Sequence, residues 1–196
     1  MNIQIITPQQ WQSQAWKNGR GVTHELASEQ DMEGILWRVS IAEVTQDGPF
    51  SLFPGKNRIL LLLEGAGFSL TFQESQKVKI MERLYEPFSF AGEEEIACTL
   101  LDGPVRDFNV MSRRADVRAT VQVLRLKAQE SCSIAAVSKQ LLYVATGSVA
   151  VVIDQERYVV QHEETLLMNE GFPSCSLVSQ DSEVLVFSIT FSKHVS

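Results

Sequence analysis

The sequence predicts an all-β protein made of two tandem units, and three observations carry that prediction. Short strand-like segments recur along most of the chain, turn signatures separate them, and one strand–glycine–strand pattern occurs twice. Many short strands with regular turns indicate a sandwich or barrel, and 196 residues accommodate two small domains.

The elements follow in chain order. Thr7-Pro8-Gln9-Gln10 predicts a short N-terminal helix: threonine can cap, proline suits the first helical position, and Gln10 can close a capping box. It must be short, because Lys17-Asn18-Gly19-Arg20-Gly21 is a loop signature. Strands are expected over 35–44, 58–63, 68–72, 96–101, 105–111 and 121–126, then over 141–144, 149–153, 158–160, 165–168 and 183–191. Turns are expected at Asp47-Gly48-Pro49, Pro54-Gly55-Lys56-Asn57, Asp102-Gly103-Pro104 and Asn169-Glu170-Gly171. The repeat aligns ILLLLEGAGFSLTF, starting at Ile59, with LLYVATGSVAVVI, starting at Leu141, and sets Gly65 opposite Gly147. The expected domains are 1–115 and 116–196, with no linker between them.

Composition excludes several function classes. With 44% apolar and 21% charged residues, the chain has the make-up of an ordinary globular protein. A net charge of −7 has the wrong sign for a nucleic-acid footprint or a polybasic membrane surface. Apolar runs such as Ile59–Leu63 are far too short to span a bilayer. The segment MNIQIITPQQW has neither the basic nor the long apolar region of a secretory signal. Cys98, Cys132 and Cys175 are scattered and form no CxxC pair, so reduced core thiols and a cytoplasmic location are expected.

Four polar constellations stand out. The stretch WKNGRGVTHELA crowds Lys17, Asn18, Thr23 and Glu25 around two glycines. It reads either as a loop closing one mouth of a barrel or as a solvated surface loop. On a strand, Thr23 and Glu25 share a face and His24 points away. In Trp37-Arg38-Val39-Ser40, Arg38 and Ser40 share a face that is either wet or turned inward, where an arginine needs an anionic partner. In FSLFPGKNRILLLLEG, Ser51 and Phe53 share a face and Arg58 opens the next strand. In Asp107-Phe108-Asn109, the polar pair forms either a wet outer face or a polar lining.

Metal and nucleophilic chemistry lack support. His24, His162 and His194 are far apart, with no HxH or HxxxH spacing and no Cys-His pair at ligand distance, so no metal cofactor is expected. No Ser, Cys or Thr stands in a nucleophile motif such as GxSxG, so no catalytic residue is assigned.

On WKNGRGVTHELA, WRVSIAEVTQDGPFSLFPGKNRILLLLEG, and FSFAG followed by DFNVMSRR, the chain resembles the HutD/Ves family of small bacterial bicupins, closely over about the first 115 residues. The resemblance implies two tandem cupin barrels, self-association as a homodimer, and a cytoplasmic role without established catalysis. It also implies capture of a small pathway acid such as formylglutamate, in control of histidine utilisation or in stress response. Metal cupins carry two histidines in the strand before such a Pro-Gly turn and a glutamate after it. Here those places hold Ser51, Phe53 and Arg58. The expectation is that positive charge has moved from an ion to the protein. Arg38 and Arg58, with Lys17, would form an anion site, Ser40, Ser51, Thr23 and Asn109 would add hydrogen bonds, and Phe53 and Phe90 would be apolar walls. Two other readings are kept. One is a metal-independent isomerase or lyase of small acids using Glu25 or Asp107 as base. The other is a protein-interaction scaffold.

Overall fold

A computed structural model describes residues 3–135, 139–169 and 173–193; Glu170 and Gly171 of the expected turn, and His194, lie outside them. The chain forms two units, one of Trp11–Val117 and one combining the residues up to Gln10 with those from Arg118 onward. The structure is all-β. It opens with β1 (Ile3–Ile6). The first unit follows with β2 (Gln12–Ala15), β3 (Gly21–Asp31), β4 (Gly34–Val44), β5 (Gly48–Pro49), β6 (Lys56–Glu64), β7 (Phe68–Phe72), β8 (Val78–Met81), β9 (Phe88–Ala91), β10 (Ile96–Leu100) and β11 (Val105–Arg113). The second unit continues with β12 (Val117–Lys127), β13 (Ser131–Ile134), β14 (Lys139–Thr146), β15 (Val149–Ile153), β16 (Glu156–Val160), β17 (Thr165–Met168), β18 (Cys175–Ser179) and β19 (Glu183–Lys193).

The two units repeat one topology strand for strand. In the first, β4-β11-β6-β9 make the heart of the larger sheet and β5-β10-β7-β8 the smaller sheet. In the second, β12-β19-β14-β17 and β13-β18-β15-β16 do the same. Gly65 and Gly147 join corresponding strands with φ of +97° and +72°, values that glycine adopts without strain. A side chain at either would strike the start of the long closing strand, at Pro104 O (2.6 Å) and Glu183 O (2.9 Å).

Each unit adds strands at one edge. β2 and β3 extend the larger sheet beyond β4, and β1 pairs with the free edge of β17. This pairing joins residues 3–6, which fall in the expected 1–115 domain, to the sheet of the second unit. Ile3 and Ile5 pack on the second core, and Ile6 is buried. The expected N-terminal helix does not form. Pro8–Gln10 make a single 3₁₀ turn. The capping signal was sound, since Gln10 Oε1 accepts from Thr7 N at 2.8 Å. No apolar repeat of helical period follows it, however, and residues 12–15 pair with β3 instead.

Both sheets of the first unit contribute to one apolar core. Leu60 and Leu62 on β6 meet Phe68, Leu70 and Phe72 on β7. Leu62 is fully buried and Met32 fully exposed. Leu62→Ala should therefore cost about 2–5 kcal/mol in urea denaturation, whereas Met32→Ala should stay within about 0.5 kcal/mol of the unaltered chain.

Candidate functional site

Strand register decides which polar residues turn inward. Arg38 on β4 stands opposite Met111 on β11, which stands opposite Arg58 on β6, which stands opposite Phe90 on β9. Two residues further along, the row is Ser40, Asn109 and Leu60; after two more it is Thr23, Ala42, Asp107 and Leu62. Side chains alternate along a strand, so these rows share one face. Leu60, Leu62, Ala42 and Phe90 identify it as the core face. Arg38, Ser40, Asp107 and Asn109 therefore face inward, at the polar end of a face that is otherwise apolar.

These side chains line a cavity of about 380 Å³. Every residue predicted for the site lines it except Glu25 and Phe90. Glu25 lies beside a β-bulge between Glu25 and Ala27 and accepts a hydrogen bond from Ser28 Oγ at 2.6 Å. Phe90 stands behind Arg58. Gln14, Ala15, Trp16, Ala42, Pro49 and Phe50 also line the cavity and were not predicted. Trp16 and Phe50 lie inside the motifs singled out, but nothing in their spacing showed which way they point.

Arg58 is 6% exposed. Its guanidinium carbon lies over three rings, 5.2 Å from Phe50, 5.5 Å from Phe53 and 5.0 Å from Phe90. Its Nη1 makes one long contact, 3.5 Å to Ser51 O, and its Nε has no partner. Burial pushes its pKa down to about 10, with Asp107 opposing, so it is a cation at neutral pH. Half-buried Arg38 lies 5.4 Å from the Phe53 ring, and its Nε also lacks a partner. Burial lowers its pKa as well, against the charge of Glu25. Asp107 is 2% exposed. Burial pushes its pKa up to about 7 despite Arg58 nearby. Asp107 Oδ1 and Asn109 Oδ1 have no hydrogen-bond partner.

Two loops frame the cavity. In the first, Trp16 Nε1 donates to Thr23 Oγ1 at 2.8 Å, and Asn18 Oδ1 accepts from Arg20 N at 3.1 Å, leaving Lys17 exposed at the rim. Gly21 is required where the loop meets β3, because a Cβ there would stand 2.3 Å from Glu43 O. His24 faces away, held by Ser13 Oγ at 2.7 Å and Glu43 Oε1 at 3.2 Å. The second loop carries Ser51 and Phe53. Phe53 N donates to Gly92 O at 2.7 Å, and Arg114 N donates to Gly55 O at 2.9 Å. The Arg114 guanidinium grips Glu93 at 2.6 and 2.8 Å and Lys56 O at 3.1 Å.

The second unit treats the equivalent place differently. Seven residues before its turn glycine it has Gln140 where the first unit has Arg58. Four residues after the valine packed on that glycine it has Ser188 where the first has Asn109. Gln140 Nε2 donates to Ser188 Oγ at 2.8 Å, and both are buried. Val186 takes the place of Asp107. The pair is neutral and hydrogen-bonded, and no charge is left facing inward there.

Among the described residues no group of three or more His, Cys, Asp or Glu side chains could hold a metal ion, and no helix is long and apolar enough to cross a membrane.

Comparison with known proteins gives a consistent picture. The HutD family model matches residues 8–186. An uncharacterised 21.2 kDa protein from the hutC 3′ region of Pseudomonas putida is 34% identical over 122 residues, covering 61% of this chain and 63% of that protein, so the match spans less than two thirds of that relative's length. Protein Ves of Cronobacter sakazakii is 28% identical over 90% of this chain and 92% of its own. The solved structure of HutD from Pseudomonas fluorescens SBW25, in a formate condition, superposes with a TM-score of 0.80 at 26% identity, covering 99% of this chain and 100% of that one. For the fold alone, a cupin 2 conserved barrel domain protein from Leptotrichia buccalis superposes with a TM-score of 0.60 at 9% identity, covering 88% of this chain and 89% of that one.

Asp107 yields a test of the electrostatics. Its folded pKa of about 7 lies above its ordinary value of 3.8. Between these values the folded state holds a proton that the unfolded state has lost, so this group's contribution to stability is lost as pH rises. Asp107→Asn should therefore gain stability relative to the unaltered chain as the pH is raised from about 4 to about 8, read as the difference in urea midpoints. A pH-independent difference would count against the buried placement.

Proposed function

Because the chain belongs to the HutD family, we propose that its first unit is a metal-free cupin site that captures a small carboxylate metabolite without turning it over. Through that capture it adjusts a catabolic or stress pathway of the histidine-utilisation type. The proposed ligand is an acid such as formylglutamate, the proposed setting the cytoplasm and the proposed working form a homodimer.

One observation carries the reading. Four buried polar atoms without a partner, Arg38 Nε, Arg58 Nε, Asp107 Oδ1 and Asn109 Oδ1, belong to side chains around one cavity. Each such atom costs roughly 1–3 kcal/mol when left unpaired. Four of them at one place make a site that a polar ligand completes. Guanidinium forks suit carboxylates, and phenylalanine walls exclude water and sharpen the attraction. The gene neighbourhood named for the Pseudomonas putida relative and the formate condition named for the HutD of Pseudomonas fluorescens are in keeping with a small acid.

One observation favours a second reading, a metal-independent isomerase or lyase. Asp107 has a pKa of about 7 and lines the cavity, which suits a general base. Glu25, the other base considered, does not line it. Turnover of a bound acid that Asp107→Asn abolishes while binding persists would establish that reading.

Thermal-shift titration tests the binding site. A ligand present at a hundred times its dissociation constant should add about 2.7 kcal/mol of stability. The shift should appear with a small carboxylate in the presence of a chelator. Arg58→Ala and Arg38→Ala should each weaken binding about tenfold or more, the loss of one charged hydrogen bond. A shift seen only with added metal, or with none of formate, glutamate, urocanate, citrate and formylglutamate, defeats the proposal.

A further inference from the structure

Resting on the reading of this cavity as a carboxylate site, we propose that Asp107 binds the ligand as a proton donor: the captured carboxylate and Asp107 hold one proton between them, so that binding takes a proton from solvent wherever the free Asp107 is ionised.

The geometry leads there in three steps. First, Asp107 and both guanidinium groups belong to one cavity of about 380 Å³, so a carboxylate held by the arginines enters the same space as the Asp107 carboxyl. Two carboxylates sharing a confined site do not both stay ionised; one of them gains a proton. Second, Asp107 Oδ1 is buried and has no donor to accept from, so an ionised Asp107 leaves an acceptor unpaired. A protonated Asp107 becomes a hydroxyl donor, and the ligand carboxylate supplies the acceptor it lacks. Third, the ligand-free protein already stands close to this state, because burial holds the Asp107 pKa at about 7.

The surrounding charges set the direction. On β11 the neighbour is neutral Asn109. From β6 comes Arg58, whose charge favours an ionised Asp107, and from β4 comes Arg38. From β10 comes Cys98, whose thiol is pushed up to about 12 and stays protonated. Glu25 on β3 faces Arg38, Asp47 acts on Cys98, and Lys17 stands at the rim. The incoming carboxylate engages Arg58 and Arg38, weakens the positive field on Asp107 and adds a like charge beside it. Both changes raise its proton affinity. The balance is simple: above about pH 7, where free Asp107 is mostly ionised, it gains one O–H bond, the proton comes from water or buffer, the ligand stays a carboxylate, and the complex gains one proton overall; below about pH 6 Asp107 already carries that proton and none is taken up.

The test uses the full chain and sodium formate, which stays ionised across the range. Affinity is measured by calorimetry from about pH 5.5 to about pH 8.5, at the higher pH in two buffers of different ionisation heat. One linked proton weakens binding by up to about tenfold per pH unit above pH 7 and leaves it nearly flat below pH 6. The buffer comparison should show proton uptake approaching one per formate. Asp107→Asn should bind with no slope and no uptake, while His24→Gln, on the opposite face of β3, should keep both. The buffer comparison on the unaltered protein decides the matter even where Asp107→Asn does not fold. Formate binding with a flat profile and no proton uptake overturns this inference and leaves the carboxylate site standing. Failure of formate and of every dicarboxylate up to glutarate to bind at any pH overturns both.

Discussion

The first unit is organised around a cation buried in an apolar core without an anion locked to it. Taking a guanidinium out of water costs several kcal/mol. Each of three phenylalanine faces can return up to about 2 kcal/mol in such a desolvated setting, and one long contact to Ser51 O adds little. The remainder is carried by the sheet around it. β6 is held on one side by β11 and on the other by β9, and Leu60, Leu61 and Leu62 are wholly buried. Phe50 and Phe53 sit on a loop, so the rings cage Arg58 only if that loop is fixed. The Arg114–Glu93 grip and the Gly92 backbone contacts fix it. A Cβ at position 92 would stand 2.5 Å from Phe53 O, so the backbone can close there only with glycine. The surface ion pair thus acts on the cavity through the placement of the rings.

The duplicated topology isolates what is special about this arrangement. Both units use the same strand order, the same turn glycine and the same packing of a closing strand against it. They differ in the polar positions of the inner face. Gln140 and Ser188 satisfy each other, and Val186 adds apolar contact. Arg58, Asp107 and Asn109 do not satisfy one another. If the fold demanded a polar cluster at this place, both units would carry one. The first unit instead leaves buried polar atoms unpaired at this place, and the second shows how the same fold closes it with a neutral hydrogen-bonded pair.

How far the sequence could be read follows from the range of the interactions involved. Strands such as β4, β7 and β15 announce themselves by composition and by turns at their ends, which are local signals. The short strands β2 and β8 are polar or exposed on most positions, and β13 alternates over only four residues, too few to stand out, so they were not anticipated. The inward direction of Arg38 and Asp107 was undecidable from alternation, because the pattern fixes which residues share a face and not which face is buried. That choice is made by register with β6 and β11, dozens of residues away, and by the apolar neighbours that register supplies. Glu25 illustrates the converse. Alternation placed it beside Thr23, and register sets it opposite Ser40, yet its carboxylate is taken up by Ser28 Oγ and it does not line the cavity. The N-terminal turn failed for a third reason: a helix start was present without an apolar stripe to sustain a helix.

The charge of the whole chain sharpens what the cavity must do by itself. A net charge of −7 repels small anions at long range, but screening limits that field to about 8 Å at physiological salt. Beyond that distance the protein neither attracts nor excludes a carboxylate, so selection of the proposed ligand would fall to contacts inside the cavity. There the two arginines favour any anion, and sulfate or phosphate would satisfy them as readily as a carboxylate. What separates these anions is the group facing Asp107 and Asn109. Asp107 can switch between acceptor and donor by gaining a proton, whereas Asn109 presents a fixed carbonyl. A ligand that fills both places in the proposed site has an oxygen to accept from Asp107 and a donor to meet Asn109, and sulfate has only the first. In the proposed site the arginines would thus provide the attraction, and the unpaired oxygens on β11 the discrimination.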